Sequence, residues 1–212
     1  MEITYLGHAA FRLRGRDGTV VIDPTPRKSG GAARVTADVV LVSHAHPGHS
    51  EVSAVGGQPR VISGPGEYEV KGISIVGIPT YHDAERGRKR GKNTVYVLEL
   101  DDLVVCHLGD LGHVLTTDQI DQMRNAEVLM IPVGGGPTID AAQAVEVISL
   151  IEPRLVIPMH YRVADEESDL DSLDKFLREM GVSDAEPEAR VSVTRSTLPE
   201  TTQVVVLEPR NA

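Results

Sequence analysis

Short runs in which every second residue is apolar fill the first half of the chain. This period of two, bounded by Gly, Pro, Asp and Ser, marks half-buried strands. It predicts strands at 2–7 (EITYLG), 10–15 (AFRLRG), 19–24 (TVVIDP) and 38–43 (DVVLVS), with a turn at 16–18 (RDG). Further strands are expected at 60–63 (RVIS), 68–72 (YEVKG), 73–79 (ISIVGIP), 94–100 (TVYVLEL) and 103–110 (LVVCHLGD). Beyond residue 115 the period changes. Residues 116–126 (TTDQIDQMRNA) read as a capped helix, 127–134 (EVLMIPVG) as a buried strand, and 139–153 (IDAAQAVEVISLIEP) as an amphipathic helix stopped by Pro153. A strand follows at 154–161 (RLVIPMHY), then a helix at 169–181 that closes on a glycine, then terminal strands at 189–195 and 202–209. Many strands first, then strands interleaved with helices, predict two sheets packed together with helices outside, in one domain spanning 1–212.

A length of 212 residues suits one well-buried core. The formal charge of −10 speaks against a general binder of nucleic acid or anionic membrane, which needs a broad basic face. One local exception stands at 83–93 (DAERGRKRGKN), where Arg86, Arg88, Lys89, Arg90 and Lys92 crowd together between glycines. This reads as an exposed, mobile loop, with Arg88, Lys89 and Arg90 candidates for drawing in an anionic substrate. No apolar stretch is long enough to span a bilayer, and the start (MEITYLGHAAF) has neither a basic head nor a long apolar run, so a cytoplasmic location is expected. The single cysteine, Cys106, excludes an intrachain disulfide and sits in a strand pattern that makes it a core residue rather than a thiol nucleophile.

The chemistry is concentrated where strands end. After an apolar run, residues 39–50 (VVLVSHAHPGHS) deliver His44, His46 and His49, with Pro47 and Gly48 supplying a turn that lets the rings converge. Neutral imidazole binds Zn, Mn, Fe and Ni, with Zn the default. His82, Asp110 and His160 follow comparable strands, and the six residues form a set of five histidines and one carboxylate. Taken singly, each of the last three reads more readily as a hydrogen-bonded structural residue than as a ligand; the combination with the triplet is what points to a metal. His113 stands close to Asp110 in sequence and borders a cleft or caps a surface turn; His107 lies on an apolar strand and reads as core. Glycines 134–136, before a helix expected near Thr138, offer backbone N–H groups to an anion or simply make a turn. Neither a Ser-His-Asp nucleophile nor a Gly-rich dinucleotide fingerprint competes with a metal-activated water.

In order along residues 1–161, the motifs YLGHAAF, VIDP, SHAHPGH, PTYHD, HLGDLGH, IPVGGGPTID and IPMHY resemble those of the metallo-β-lactamase-fold hydrolases. The resemblance is strongest to the branch that looks like ascorbate-6-phosphate lactonase. It implies an α/β fold, a single-domain four-layer αββα sandwich with a metal cleft along one edge. It also implies roles: His44, His46 and His82 for one metal, His49 and His160 for a second, and Asp110 bridging both and orienting the catalytic water. The family pattern has an aspartate where this chain has Gly48. One Zn is therefore expected to bind firmly and a second weakly or not at all. Asp23 would orient a ligand histidine from behind, with turn capping as its other reading. His8 would be an additional catalytic histidine in the cleft.

The expected reaction is metal-dependent hydrolysis of an ester, lactone, thioester or phosphoester in a small, anionic molecule. A metal-binding protein without turnover is the alternative that Gly48 favours, whereas a nuclease is favoured only by the 83–93 loop. The sequence carries no signal of oligomeric state.

Overall fold

The computed structural model describes residues 1–26, 35–163 and 169–210. The alternating segments become β1 (Glu2–Gly7), β2 (Ala10–Arg14), β3 (Thr19–Ile22), β4 (Val39–Val42) and β5 (Arg60–Ser63). Next come β6 (Gly66–Val70), β7 (Ile73–Tyr81), β8 (Lys92–Leu100) and β9 (Leu103–His107). Then α1 (Thr117–Met123), β10 (Val128–Pro132), α2 (Ala141–Ile151), β11 (Leu155–Met159) and α3 (Leu173–Glu179) alternate, before the short β12 (Val191–Ser192) and β13 (Gln203–Val204). They assemble into two sheets, ordered β12-β1-β2-β3-β4-β5 and β13-β11-β10-β9-β8-β7-β6.

Alternation decides what each face meets. Val20, Ile22, Val39 and Leu41 point into the shared core with Ile73, Ile75, Val95 and Val105, while Val21, Val40 and Val42 pack on the opposite face with Ala37 and Val55. β10 and β11 are buried at every position, as befits parallel strands covered on both sides. α1 and α2 are the crossovers that link β9 to β10 and β10 to β11, all parallel. Their starts carry capping boxes, Thr116 with Gln119 and Asp140 with Gln143. The result is the expected arrangement of two sheets flanked by helices in a single domain. Among the described residues no helix is long and apolar enough to cross a membrane. Cys106 is buried on β9, and burial pushes its thiol pKa up, so the thiolate form is disfavoured.

One expectation changes. The terminal strands are only two residues long each, because the last apolar run leaves the second sheet to tie the two sheets together. Val205 N donates to Val156 O on β11, and Arg210 N donates to Tyr5 O on β1. Of the two readings of glycines 134–136, the contacts at Gly135 fit the turn. Gly135 N donates to Ile139 O, and α2 starts at Ala141 with the Asp140 carboxylate on its own amide of Gln143. Gly134 has another purpose: a Cβ there would overlap the carbonyl oxygen of His160. Gly134→Ala is therefore expected to destabilise the protein by about 1–3 kcal/mol through overpacking, read as a lower midpoint in chemical denaturation. An unchanged midpoint would show that β10 and the His160 turn separate freely.

Candidate metal centre

Each sequence-derived candidate of the cleft stands just past a strand. His8 follows β1, Asp23 follows β3, the His44–His49 segment follows β4, His82 follows β7, Asp110 lies beyond β9 and His160 follows β11. Because the strands of one parallel set end together, their following loops share one edge of the sandwich. Three of these residues hold left-handed backbone without being glycine: His8 at φ 58°, Asp23 at φ 47° and His160 at φ 52°. Such conformations persist only where surrounding structure holds them. Hydrogen bonds do so here, with both Tyr5 Oη and His160 N donating to His8 O at 2.8 Å.

At the centre lies the Asp110 carboxylate, 2% exposed. Its Oδ2 is 3.2 Å from His82 Nε2, 3.3 Å from His49 Nε2 and His160 Nε2, and 3.7 Å from His44 Nε2. Its Oδ1 is buried without a hydrogen-bond partner, as are His44 Nε2 and His160 Nδ1. His46 is half-buried, its ring 4.7 Å from that of His44 and 5.1 Å from that of His82.

The hydrogen bonds behind the rings fix their tautomers. Ser43 Oγ donates to Asp23 Oδ2 at 2.5 Å, so the same oxygen accepts from His44 Nδ1 at 2.9 Å. The Asp23 carboxylate accepts from His49 Nδ1 at 3.2 Å, and Pro137 O accepts from His82 Nδ1 at 3.2 Å. In the neutral form of each of the three rings Nδ1 carries the proton, so Nε2 turns a lone pair toward an anionic oxygen. Lone pairs facing a carboxylate repel one another unless a cation sits among them. The donor set of imidazoles and one carboxylate fits a divalent transition metal. The ring atoms of His44, His46 and His82 lie close enough together to hold one ion, and so do those of His8, His49 and His160.

Titration behaviour agrees with this geometry. Burial, then the charge of His49, pull the His44 pKa down to about 3; burial, then His160 and His49, pull His8 down to about 4. Burial also lowers His82. For His49, burial opposes protonation, but the hydrogen bond to Asp23 and the charges of Asp110 and Asp23 raise the pKa above its ordinary value. Burial would favour the neutral acid at Asp110, yet His160, His49 and His44 hold that carboxylate far below the usual range.

The structure also sorts the remaining candidates. His107 is the satisfied core residue expected, donating from Nε2 to Ala9 O at 2.9 Å and accepting at Nδ1 from Gly109 N at 3.1 Å. Both nitrogens of His113 are engaged by local backbone, Nε2 by Tyr81 N and Nδ1 by Val114 O. The 83–93 loop has an internal frame: the Asp83 carboxylate accepts from the amides of Glu85, Gly87, Lys89 and Arg90, and Glu85 pairs with Arg88 and Lys89. Sequence reasoning passed over three residues. Asp83 frames this loop, Ser43 links Asp23 to His44, and Asn93 accepts from Asp110 N at 3.0 Å while donating to Thr80 and Leu108. Asn93 leaves a legible trace, an amide directly before the TVYVL run of β8.

Residues 2–160 match the β-lactamase superfamily domain. A UPF0173 metal-dependent hydrolase from Methanospirillum hungatei is 30% identical over 188 residues, spanning 78% of this chain and 84% of the relative. The chain belongs to the UPF0173 metal-dependent hydrolases of the metallo-β-lactamase superfamily. Another UPF0173 hydrolase, from Methanopyrus kandleri, is 28% identical and covers 86% of this chain and 94% of its own length. A solved structure from Thermotoga maritima, assigned to the Zn-dependent hydrolases of the superfamily, superposes with a TM-score of 0.80 at 38% identity over 97% of each chain. An isothiocyanate hydrolase from Delia radicum gut bacteria shares the fold, with a TM-score of 0.70 at 15% identity over 92% of this chain and 99% of that one.

The lowered histidines give this UPF0173 hydrolase a defined acid response when metal-free. His44, His8 and His82 stay neutral in the fold but take protons in the unfolded chain near pH 6.5, so unfolding binds protons and stability falls as pH drops below that value. His49 works in the opposite direction, losing its contribution as pH rises through its raised pKa. His107, lowered by burial on β9, acts in the same direction as the three, so with four groups against one the thermal midpoint of the chelated protein is expected to be lower at pH 5 than at pH 7. A higher midpoint at pH 5 would contradict the neutral-ring assignment.

Proposed function

We propose that this metal-dependent hydrolase cleaves an ester, lactone, thioester or phosphoester bond in a small anionic molecule. The observation that carries the reading is the convergence of three Nε2 lone pairs on the buried Asp110 carboxylate, a donor set built for a cation. His44, His46, His82 and Asp110 would hold the first ion, for which zinc is the default and manganese, iron and nickel are chemically acceptable. His49 and His160, with a share of Asp110, would hold a second and weaker one. A bound ion of this kind lowers the pKa of water toward neutrality and polarises a carbonyl or phosphoryl oxygen.

The protein's own residues do the rest. Asp23, through Ser43, keeps the His44 ring in one tautomer and orientation, and it holds His49 directly. Asp110 Oδ1, buried and unpartnered, is free to accept a hydrogen bond from the attacking water and aim its lone pair. The basic loop begins at the residue after His82, and the charge of Arg90 reaches the His82 ring, contributing after burial to its lowered pKa. That frame supports recruitment of an anionic substrate. A phosphorylated lactone of the kind handled by the lactonase-like branch is one substrate that fits this reading, and the acidic balance of the whole chain favours a small molecule over a nucleic acid.

Three outcomes test the reading. Asp110→Asn should keep its circular dichroism spectrum and lose hydrolysis by more than the 10- to 100-fold typical of residues that only orient ligands, about the loss expected for Asp23→Asn; near-parental turnover of Asp110→Asn would remove it from the centre. Chelation should abolish turnover of chromogenic esters, lactones and phosphodiesters, and zinc or manganese should restore it. Replacing Arg88, Lys89 and Arg90 by Ser should raise KM for a phosphorylated substrate more at low salt than at high salt. Equal effects at both salt concentrations would leave the loop without a role in binding.

A further inference from the structure

The second half of the cleft lacks the carboxylate that the family pattern supplies. Gly48 stands at that position with φ 95°, where an L-residue is strained, so glycine is favoured by the backbone itself. What fills the vacated side-chain space is on the opposite wall. A Cβ built on Gly48 would meet nothing within 4 Å except the His8 ring, at 3.7 Å from Cδ2 and 3.9 Å from Nε2. The same ring lies 4.7 Å from that of His49 and 4.4 Å from that of His160, centre to centre. One nitrogen from each of these three rings falls within 4.8 Å of the others.

We propose that His8 replaces the missing aspartate, completing a second metal site of three imidazoles, His8, His49 and His160, beside the shared Asp110. This rests on the metal centre proposed above and changes its second half: a ligand is exchanged rather than lost. His8 is suited to the task because its backbone is fixed. Its carbonyl accepts from His160 N, so two of the three rings are clamped to each other through one hydrogen bond, and Tyr5 Oη holds the same oxygen from the core side. His8 and His160 both hold left-handed backbone, and their ring centres lie 4.7 Å (His8) and 6.1 Å (His160) from that of His49. Exchanging a carboxylate for an imidazole removes one negative charge, so the second ion binds less tightly than the first, although the number of protein ligands is preserved. The softer, nitrogen-rich set also favours zinc over manganese in that position.

The experiment is equilibrium dialysis of chelator-stripped protein against buffered zinc, with metal counted per chain and folding followed by thermal unfolding. The native chain is expected to take up two equivalents, one tight and one weaker. His8→Ala and His8→Gln should keep the tight equivalent and bind the other at least about tenfold more weakly. As a measurement on the unaltered chain, carbethoxylation of His8 by diethylpyrocarbonate, mapped by peptide mass spectrometry, should be suppressed by the second equivalent and not by the first. Native protein that takes up only one equivalent, variants that keep both with native affinity, or His8 labelling indifferent to the second equivalent would each overturn the proposal while leaving the first site intact. Absence of any tight equivalent would instead refute the metal centre as a whole.

Discussion

A carboxylate removed almost entirely from water must be compensated where it stands, and Asp110 is such a group. Leaving it ionised and alone at that depth would cost several kcal/mol. The fold answers by surrounding Oδ2 with the Nε2 atoms of His44, His49, His82 and His160. The answer is incomplete without positive charge, because the hydrogen bonds behind His44, His49 and His82 already use their ring protons. His160, whose Nδ1 has no partner, can donate its one ring proton from Nε2 to Asp110, and a proton or a metal removes the repulsion among the lone pairs that remain. In the metal-free chain the raised pKa of His49 marks where a proton goes first. The centre is thus poorly arranged for stability and well arranged for a cation.

Holding rings from separate strand ends around one oxygen is a task for the whole sandwich. Parallel neighbours bring loops to one edge, but the loops must then turn inward, and several backbone features do that at a local cost. Left-handed His8, Asp23 and His160 redirect the chain immediately past β1, β3 and β11. Gly134 lets β10 pass against the His160 carbonyl, and Asn93 ties β8 to the amide of Asp110. His107 joins the β1–β2 turn to the end of β9. Gly134, Asn93 and His107 do not touch the Asp110 carboxylate with their side chains, yet each holds the backbone of a residue that lines the cleft or of its neighbour. Precision of this kind comes from elements held on both sides by packed strands.

How much of this was legible in the sequence follows from the range of the forces involved. Period-two alternation is local, so the strands from β1 to β9 were readable, as was the capped start of α1. The histidine ligand candidates were readable because His44, His46 and His49 crowd one loop and because a resemblance extended along residues 1–161. The terminal strands were misjudged because an apolar run says that it will be buried and does not say against which sheet. The packing reason for Gly134 is hidden in a related way: a glycine demanded by a close neighbour 26 residues away looks in sequence like one demanded by a turn. The basic loop was read as mobile because the Asp83 contacts that organise it depend on three-dimensional closure. The relation between Gly48 and His8 lay wholly beyond sequence reading, since the two are 40 residues apart and meet only across the cleft.

The account stands on a cation at Asp110, and anomalous scattering tests that most directly. Crystals of the native protein equilibrated with zinc, measured on both sides of the zinc edge, should show a peak bounded by His44, His46, His82 and Asp110. At higher zinc, a second peak should appear on the far side of the Asp110 carboxylate. Density without anomalous signal in this cleft at saturating zinc, or signal confined to another part of the molecule, would contradict the account.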